Sequence, residues 1–370
     1  MIRAHKIRLN PTPEQEVYFR KAAGTKRFVY NWALSRWKWA KAQGTPVYGM
    51  MAAKLDFNAI KREQFPWAYE VAKDVCEGAF QDAGAALKNY FDWKNGKRKG
   101  AKVGFPKFKS KKNKQQSFRL NNDKFWVDGH IIKIPNLGYV NMAEPLRFNG
   151  KIMGAVVSKV ADWWFVSIQV EVQQPEPKQF EQQAVGVDVG VKALATLSDG
   201  SVFENQKPLR SEMNRLRKLN RSMSRRQKGS NRWWKAKRKV GRFHFRVANQ
   251  RADAHHKASY QIASTYRVVG IEDLHVKGMV KNRRLSLAVS DAGLGEFIRQ
   301  LEYKSAQLGG QAVRVGRFFA SSKICNDCGH INQALTLADR KWTCGGCGVV
   351  HDRDWNASRN IEREALRLIA

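Results

Sequence analysis

Acids are scarce in this sequence. Its 370 residues hold 32 Asp and Glu against 67 Lys and Arg, a formal net charge of +35 at pH 7. Self-repulsion on that scale disfavours a compact state unless a polyanion neutralises it, which points to nucleic acid as the partner. A protein that binds membrane surfaces concentrates its cations on one amphipathic helix, whereas here they run along most of the chain. Long apolar runs are also missing, so no membrane span is expected. The opening MIRAHKIRLNPTPEQ has no apolar core, so no signal peptide is expected. Five cysteines in so long a chain exclude a disulfide framework. A cytoplasmic, prokaryotic, nucleoid-associated protein is therefore expected. What is present is enough apolar material, 43% of the residues, to fill the cores of two or three domains.

Along the chain, the alternating segment Ala4-His5-Lys6-Ile7-Arg8-Leu9 reads as a strand that ends at Pro11 and Pro13. Residues 14–95 read as helical. Their clustered aromatics Phe28, Tyr30, Trp32, Trp37 and Trp39 are expected mostly in the helix core, with the remainder free to stack on bases. Residues 96–116 form a basic, glycine-rich loop without an acid, in which Lys107 and Lys109 are candidate phosphate contacts. Residues 117–173 read as short strands, which predicts a small β-barrel or β-sandwich. A polar linker at 173–183 precedes the apolar strand that carries Asp188. Residues 207–251 then hold 17 Lys and Arg but one acid, Glu212. A solvated coiled coil mixes both signs of charge, so this segment reads as a nucleic-acid-facing pair of helices broken at Gly229-Ser230. Arg217, Arg221, Arg225, Lys235, Lys237, Arg238 and Lys239 are its candidate contacts. Strands are expected at 267–272 and 312–319, with a helix over roughly 291–308 between them and a last helix from Asp354.

Two constellations carry chemistry. Cys325-x-x-Cys328 and Cys344-x-x-Cys347 stand 15 residues apart, each pair beside glycine, the spacing of a structural zinc ribbon with four thiolate ligands. Such a closed set leaves no open position for catalysis. The second constellation is acidic. Asp188 lies within Val185-Gly-Val-Asp-Val-Gly190, where an unpaired carboxylate between two buried faces is costly and a bound metal removes the cost. Glu272 ends the apolar strand Val268–Glu272, and Asp273 beside it points to the opposite face. Asp354 starts the last helix, where the alternative role is an N-cap. Acids on central strands and a flanking helix suit a ribonuclease-H-like sheet that holds Mg²⁺ or Mn²⁺ for two-metal phosphodiester cleavage.

Together with Gly104-Phe-Pro-Lys-Phe-Lys-Ser110, the run from Arg251 through Asp253 to His256-Lys257, Gly270-Ile-Glu-Asp-Leu274, Ser321-Ser-Lys323, Asp352-Arg-Asp-Trp-Asn-Ala357 and Asn360-Ile361, these motifs make the chain resemble the TnpB (OrfB) family of insertion-sequence proteins over nearly its full length. Ser358 departs from that pattern, standing where the family usually has Ala. The resemblance implies an RNA-guided, RuvC-type DNA endonuclease related to the compact type V CRISPR effectors, which cuts beside a short motif in its target. It places Asp188, Glu272 and Asp354 as the catalytic acids. It also implies a wedge strand at 1–13, a helical recognition lobe with the basic loop at 14–116 and a wedge β-barrel at 117–178. The RuvC nuclease with its basic helical insertion falls at 179–319, the zinc ribbon at 320–350 and the closing RuvC helix at 351–370. Guide RNA and double-stranded target DNA are the implied partners, and a monomer is the expected state. Two alternatives compete with this reading: a DNA transposase using the same metals, and a guided DNA-binding protein with a silent site. The intact acids count against the second.

Overall fold

A computed structural model describes residues 1–111, 116–174, 176–336 and 338–370. Residues 112–115 of the basic loop lie outside the described residues. The chain forms two compact units, Met1–Gln173 and Gln174–Ala370.

In the first unit, β1 (Ile2–Asn10) leads into three long helices, α1 (Pro13–Ala42), α2 (Met50–Gln64) and α3 (Lys73–Lys94). Helix α1 starts at a capping box, with the Thr12 side chain accepting from the Gln15 amide and Pro13 in the first turn. Six strands follow: β2 (Ser117–Asn121), β3 (Trp126–Asp128), β4 (Ile131–Ile134), β5 (Gly138–Met142), β6 (Lys151–Val160) and β7 (Trp163–Glu171). The sheet order is β2-β6-β7-β1-β5-β4-β3, so the first strand of the chain sits at the centre, antiparallel to β7 and β5. The expectation of a barrel is corrected here: β2 and β3 are free edges among the described residues, and the sheet is open. A barrel fills its interior from its own strands. In this unit Tyr18, Phe19 and Ala22 of α1 and Val75 of α3 pack against Ile7, Leu9, Phe118, Trp164 and Val166 instead.

The second unit opens with β8 (Gln182–Val189), β9 (Ala193–Leu197) and β10 (Val202–Glu204). A one-turn α4 (Pro208–Ser211), α5 (Met213–Ser224) and the 35-residue α6 (Asn231–Thr265) come next. Beyond them lie β11 (Tyr266–Glu272), α7 (Val276–Lys281), α8 (Ser286–Ala292), α9 (Leu294–Gln307) and β12 (Gln311–Val315). The hairpin β13 (Lys341–Thr343) and β14 (Val350–Asp352) then feeds α10 (Arg353–Arg367). Five strands pair in the order β10-β9-β8-β11-β12, with β8, β11 and β12 parallel and β9 antiparallel to its neighbours. Strand β12 is shorter than expected, because a turn closed by the Phe319 amide on the Gly316 carbonyl (2.9 Å) stops the ladder after Val315.

Both faces of this sheet are covered, as a parallel sheet requires. Val185, Val187, Val269 and Ile271 meet Ala258 and Ile262 of α6 and Phe297 and Leu301 of α9. On the other face α10 lies directly on the backbone. Gly186 and Gly270 are register partners; a Cβ on Gly186 would fall 1.9 Å from the Ser358 carbonyl oxygen, and one on Gly270 would fall 2.8 Å from the Ala365 methyl. The two glycines are the seat of the helix. Along α10, Asp354 lies one turn, about 6 Å, before Ser358, and Asp188 lies two residues, about 6.6 Å, beyond Gly186 on the same face. Seating the helix on the glycines therefore carries its N-terminal acid to the strand ends.

Candidate active site

Three carboxylates meet at that edge. The β8–β11 register runs Gly186↔Gly270 and Val187↔Ile271, so the next step places Asp188 beside Glu272, at the C-terminal ends of parallel strands. The Asp188 carboxylate has no hydrogen-bond partner among the described residues. Burial first, and then the neighbouring charges of Glu272 and Asp354, push its carboxyl up to about 8 against the opposing pull of Arg353 and Arg340. Glu272 Oε1 accepts from the Ser321 hydroxyl at 2.5 Å. Asp354 accepts from Arg353 (3.0 Å) and faces Arg340 Nη1 at 3.5 Å. The three sets of carboxylate oxygens do not close to within 4.8 Å of one another as the four thiolates do.

The other acids nearby are engaged elsewhere. Asp273 bonds Arg314 and Arg317 on the opposite side of β11, at 3.0 and 2.5 Å. Asp352 is the N-cap of α10: its side chain accepts from the amides of Asp354 and Trp355, both at 3.1 Å. The capping role considered for Asp354 is thus filled by Asp352, which leaves the Asp354 carboxylate free to turn toward Asp188. Hard oxygen donors brought to one edge, with the Asp188 carboxyl pushed up beside the other two acids, fit a divalent cation such as Mg²⁺. Ser321, Arg340 and Arg353 are the contributors that the sequence reading passed over. Two lie in loops or at a helix start in a chain full of arginine, where residue type alone carries no signal.

The cysteines form a second site. Cys325 and Cys347 sulfurs lie 3.7 Å apart, Cys328 and Cys344 sulfurs 3.5 Å apart, and all four fall within 4.8 Å. Tetrahedral Zn²⁺ with bonds of about 2.3 Å separates its sulfurs by about 3.8 Å, so the donor set fits that ion. Gly329 and Gly348, each following the second cysteine of its pair, have φ of 78° and 73°, the left-handed turn that glycine allows. His351 Nε2 sits 3.0 Å from Cys325 Sγ, in contact with the cluster but outside the four-sulfur set. Buried amides join this module to α10. Asn356 accepts from the Asn326 amide (2.9 Å) and donates to the Ile324 carbonyl (2.7 Å), and Asn360 donates to the carbonyls of Ser321 (2.8 Å) and Ile324 (2.7 Å). The fifth cysteine, Cys76, is buried in the helical core of the first unit.

The basic segment at 207–251 is a hairpin of unequal arms. Helix α5 buries no residue, and α6 begins after Gly229, with Ser230 as its N-cap. Helix α6 extends to Thr265, past the expected end, because the Arg251–Lys257 stretch continues the helix onto the sheet. Glu212, the segment's single acid, pairs with Arg246 and Arg215 and ties the base of the hairpin together. At its tip Lys218, Arg221, Arg225, Arg226 and Arg232 line an open cleft. Arg217, Lys235, Arg238 and Lys239 are exposed, and Lys237 lies over the rings of Trp233 and Trp234 at 4.5 and 4.3 Å. In the first unit Lys107 is exposed, whereas Lys109 is an anchor. Its backbone exchanges bonds with Asn31 (2.8 and 2.9 Å), its ammonium sits 3.8 Å over Tyr30 and 3.5 Å from Asp82, and burial lowers its pKa. Of the clustered aromatics, Tyr30 and Trp37 are core and Trp39 is exposed.

Comparison with known proteins identifies the family. A family model described as "Probable transposase" (OrfB, IS605) matches residues 167–283, a Cas12f1-like TNB domain model matches 295–361, and a helix-turn-helix model of the OrfB group matches 1–45. The last region is here β1 followed by α1. The fold is similar to that of the mini-RNA-guided endonuclease CRISPR-Cas_phi3, with a TM-score of 0.56 at 10% identity over 99% of this chain and 92% of that one. At the level of sequence, a Streptomyces pristinaespiralis protein named "Putative RNA-guided DNA endonuclease" is 36% identical over 97% of this chain and 88% of its own length. The similarly named InsQ of Escherichia coli K12 is 33% identical over 97% and 91%. The chain belongs to the TnpB (OrfB) family. No helix among the described residues is long and apolar enough to cross a membrane.

Proposed function

We propose that this protein is an RNA-guided DNA endonuclease of a transposable element, with Asp188, Glu272 and Asp354 as the residues that hold its catalytic cations. The observation that carries the reading is the convergence of these three acids, from three distant parts of a chain of net charge +35, on one edge of the sheet, with the Asp188 carboxyl pushed up to about 8 by burial and by the other two. A bound divalent cation relieves that conflict while keeping all three acids ionised. The fold around them is read as ribonuclease-H-like, with the sheet of Met1–Gln173 as the wedge and α1–α3 as the recognition lobe.

Bound Mg²⁺ or Mn²⁺ supplies charge stabilisation to the attacking and leaving oxygens of a phosphodiester. The chain's own residues do the rest. Asp188 and Glu272 are fixed by adjacent strands, and Ser321 orients Glu272 through its hydroxyl. Arg340 and Arg353 hold Asp354 in ion pairs beside the site, where it would be the third carboxylate to hold the cation. The four cysteines hold one structural Zn²⁺ that keeps the 321–352 module folded. The α5–α6 hairpin and Lys107 contact guide RNA through phosphates, and pairing selects a DNA target beside a short adjacent motif.

The test is cleavage by the protein purified with its co-expressed RNA. Mg²⁺-dependent cutting of a DNA matched to that RNA is expected, abolished in Asp188→Ala, Glu272→Ala and Asp354→Ala with target binding retained, and metal analysis of the same preparation should give one zinc per chain. Equal cutting without RNA would return the protein to an unguided nuclease, and strand joining in place of cutting would make it a transposase.

A further inference from the structure

We propose that Phe318 is a base-stacking platform for the nucleic-acid strand that enters the carboxylate site. Its ring is 96% exposed, while the next most exposed large apolar side chain among the described residues, Leu55, is at 68%. An aromatic left so open gains nothing for the fold. Yet the residues on either side of it are held in place. The turn is closed by the Phe319 amide on the Gly316 carbonyl (2.9 Å), and Arg317 before it is clamped to the Asp273 carboxylate at 2.5 Å. Phe319 after it packs against the cluster of Val315, Ile361 and Ala365. The ring is therefore presented by a fixed turn, not by a loose one.

The location joins that ring to the chemistry. The turn leaves the C-terminal end of β12, the same edge of the parallel sheet at which β8 and β11 deliver Asp188 and Glu272. Three residues on, Ser321 bonds Glu272, and backbone reach keeps Phe318 within about 10 Å of Ser321. Arg317 and Arg340, cations at this edge, are already paired with Asp273 and Asp354. A ring grips a strand through the face of a base, without adding a positive charge that would compete with the metal. Stacking accepts any base, which suits a site whose target is chosen by pairing elsewhere.

The inference rests on the nuclease reading, and the experiment separates the two. A single-stranded oligonucleotide carrying one 2-aminopurine, whose fluorescence falls when the base stacks, is titrated into RNA-loaded Asp188→Ala protein, which binds without cutting. The fluorophore is walked along the strand. We expect quenching at one or two positions, lost in Phe318→Ala and Phe318→Leu and kept in Phe318→Trp. In the cutting-competent protein, Phe318→Ala should slow single-turnover cleavage about tenfold, with guide affinity and thermal stability unchanged. Quenching that is the same in Phe318→Ala as in the parent overturns the proposal, whatever the cutting rate. A wild-type protein that never cuts, yet quenches in a Phe318-dependent way, overturns the nuclease reading and leaves the platform standing.

Discussion

The edge of the five-stranded sheet and the α5–α6 hairpin handle charge in opposite ways. At the edge, three acids from separate elements lie within electrostatic reach of one another, one of them so set among protein and like charges that its carboxyl rises to about 8. On the hairpin, cations are spread along two helices, and α5 buries nothing at all. The first arrangement stores electrostatic conflict and depends on sub-ångström placement, because a metal site needs its donors converging. The second stores little, since each exposed cation is solvated and acts on phosphates one at a time. Chemistry should therefore fail abruptly and binding gradually when each region is disturbed.

The sharpest way to break the first half of that contrast is through the helix seat and not through the acids. Gly186→Val puts side-chain atoms where the Ser358 carbonyl and the Glu362 amide now lie, 1.9 and 2.5 Å from the would-be Cβ. Helix α10 must lift, and Asp354 moves with it. Destabilisation of about 3 kcal/mol is expected from the overpacking, and cleavage in the still-folded fraction should fall about 100-fold, as for a small misplacement of catalytic groups. Thermal unfolding followed by single-turnover cleavage measures both. An unchanged rate would mean that α10 does not set the position of Asp354.

On the hairpin the expected response is smooth. Changing Arg221, Arg225, Lys237 and Arg238 together to Ala removes up to four phosphate contacts, so the slope of log K for guide RNA against log salt should flatten by about 3. Affinity should fall for every spacer alike, because phosphate contacts carry no base information, and the preferred target should not change. Guide affinity at several salt concentrations, with two unrelated spacers, decides it. A loss confined to one spacer would show that the hairpin reads bases.

The two halves also differ in how far they could be read from the residues alone. The cysteine set lies within 23 residues, so spacing suffices to bring four sulfurs together, and its glycines mark the turns. The hairpin is a matter of local composition, and only its arms were misjudged, since helix length depends on what α6 packs against beyond Arg251. The acids are 84 and 82 residues apart, and their meeting depends on strand order, which no local pattern encodes. They stood out because acids are rare here and each ends or begins an element. What pattern could not supply was closure. Alternation in β2–β7 describes an open sheet and a barrel equally well, and the choice fell to Phe19 and its neighbours on α1, which occupy the inner face. The anchoring of Lys109 was illegible for a similar reason: in a run of lysines, nothing local marks the one that Asn31, Tyr30 and Asp82 hold in place.

The smallest expected effect separates two acids that share a helix start. Asp352 and Asp354 differ by two residues, and either could cap α10 or serve the site. The cap geometry divides the labour: Asp352 accepts from the amides of Asp354 and Trp355, while Asp354 turns its carboxylate toward Asp188 and the arginines. Removing a cap costs about 1 kcal/mol of stability, and α10 is held independently by the Asn356 and Asn360 bonds and by its glycine seat. Asp352→Ala should therefore lower the unfolding temperature slightly and leave the cleavage rate within about threefold of the parent, a change of under ~1 kcal/mol in barrier. Asp352→Asn, which still accepts from an amide, should restore most of the lost stability. Asp354→Asn should behave in the reverse manner, stable and inactive, because an amide oxygen binds a divalent cation far less well than a carboxylate. Loss of cutting in a well-folded Asp352→Ala protein, with cutting retained in Asp354→Asn, would exchange the two roles and move the metal site to the exposed side of the helix start.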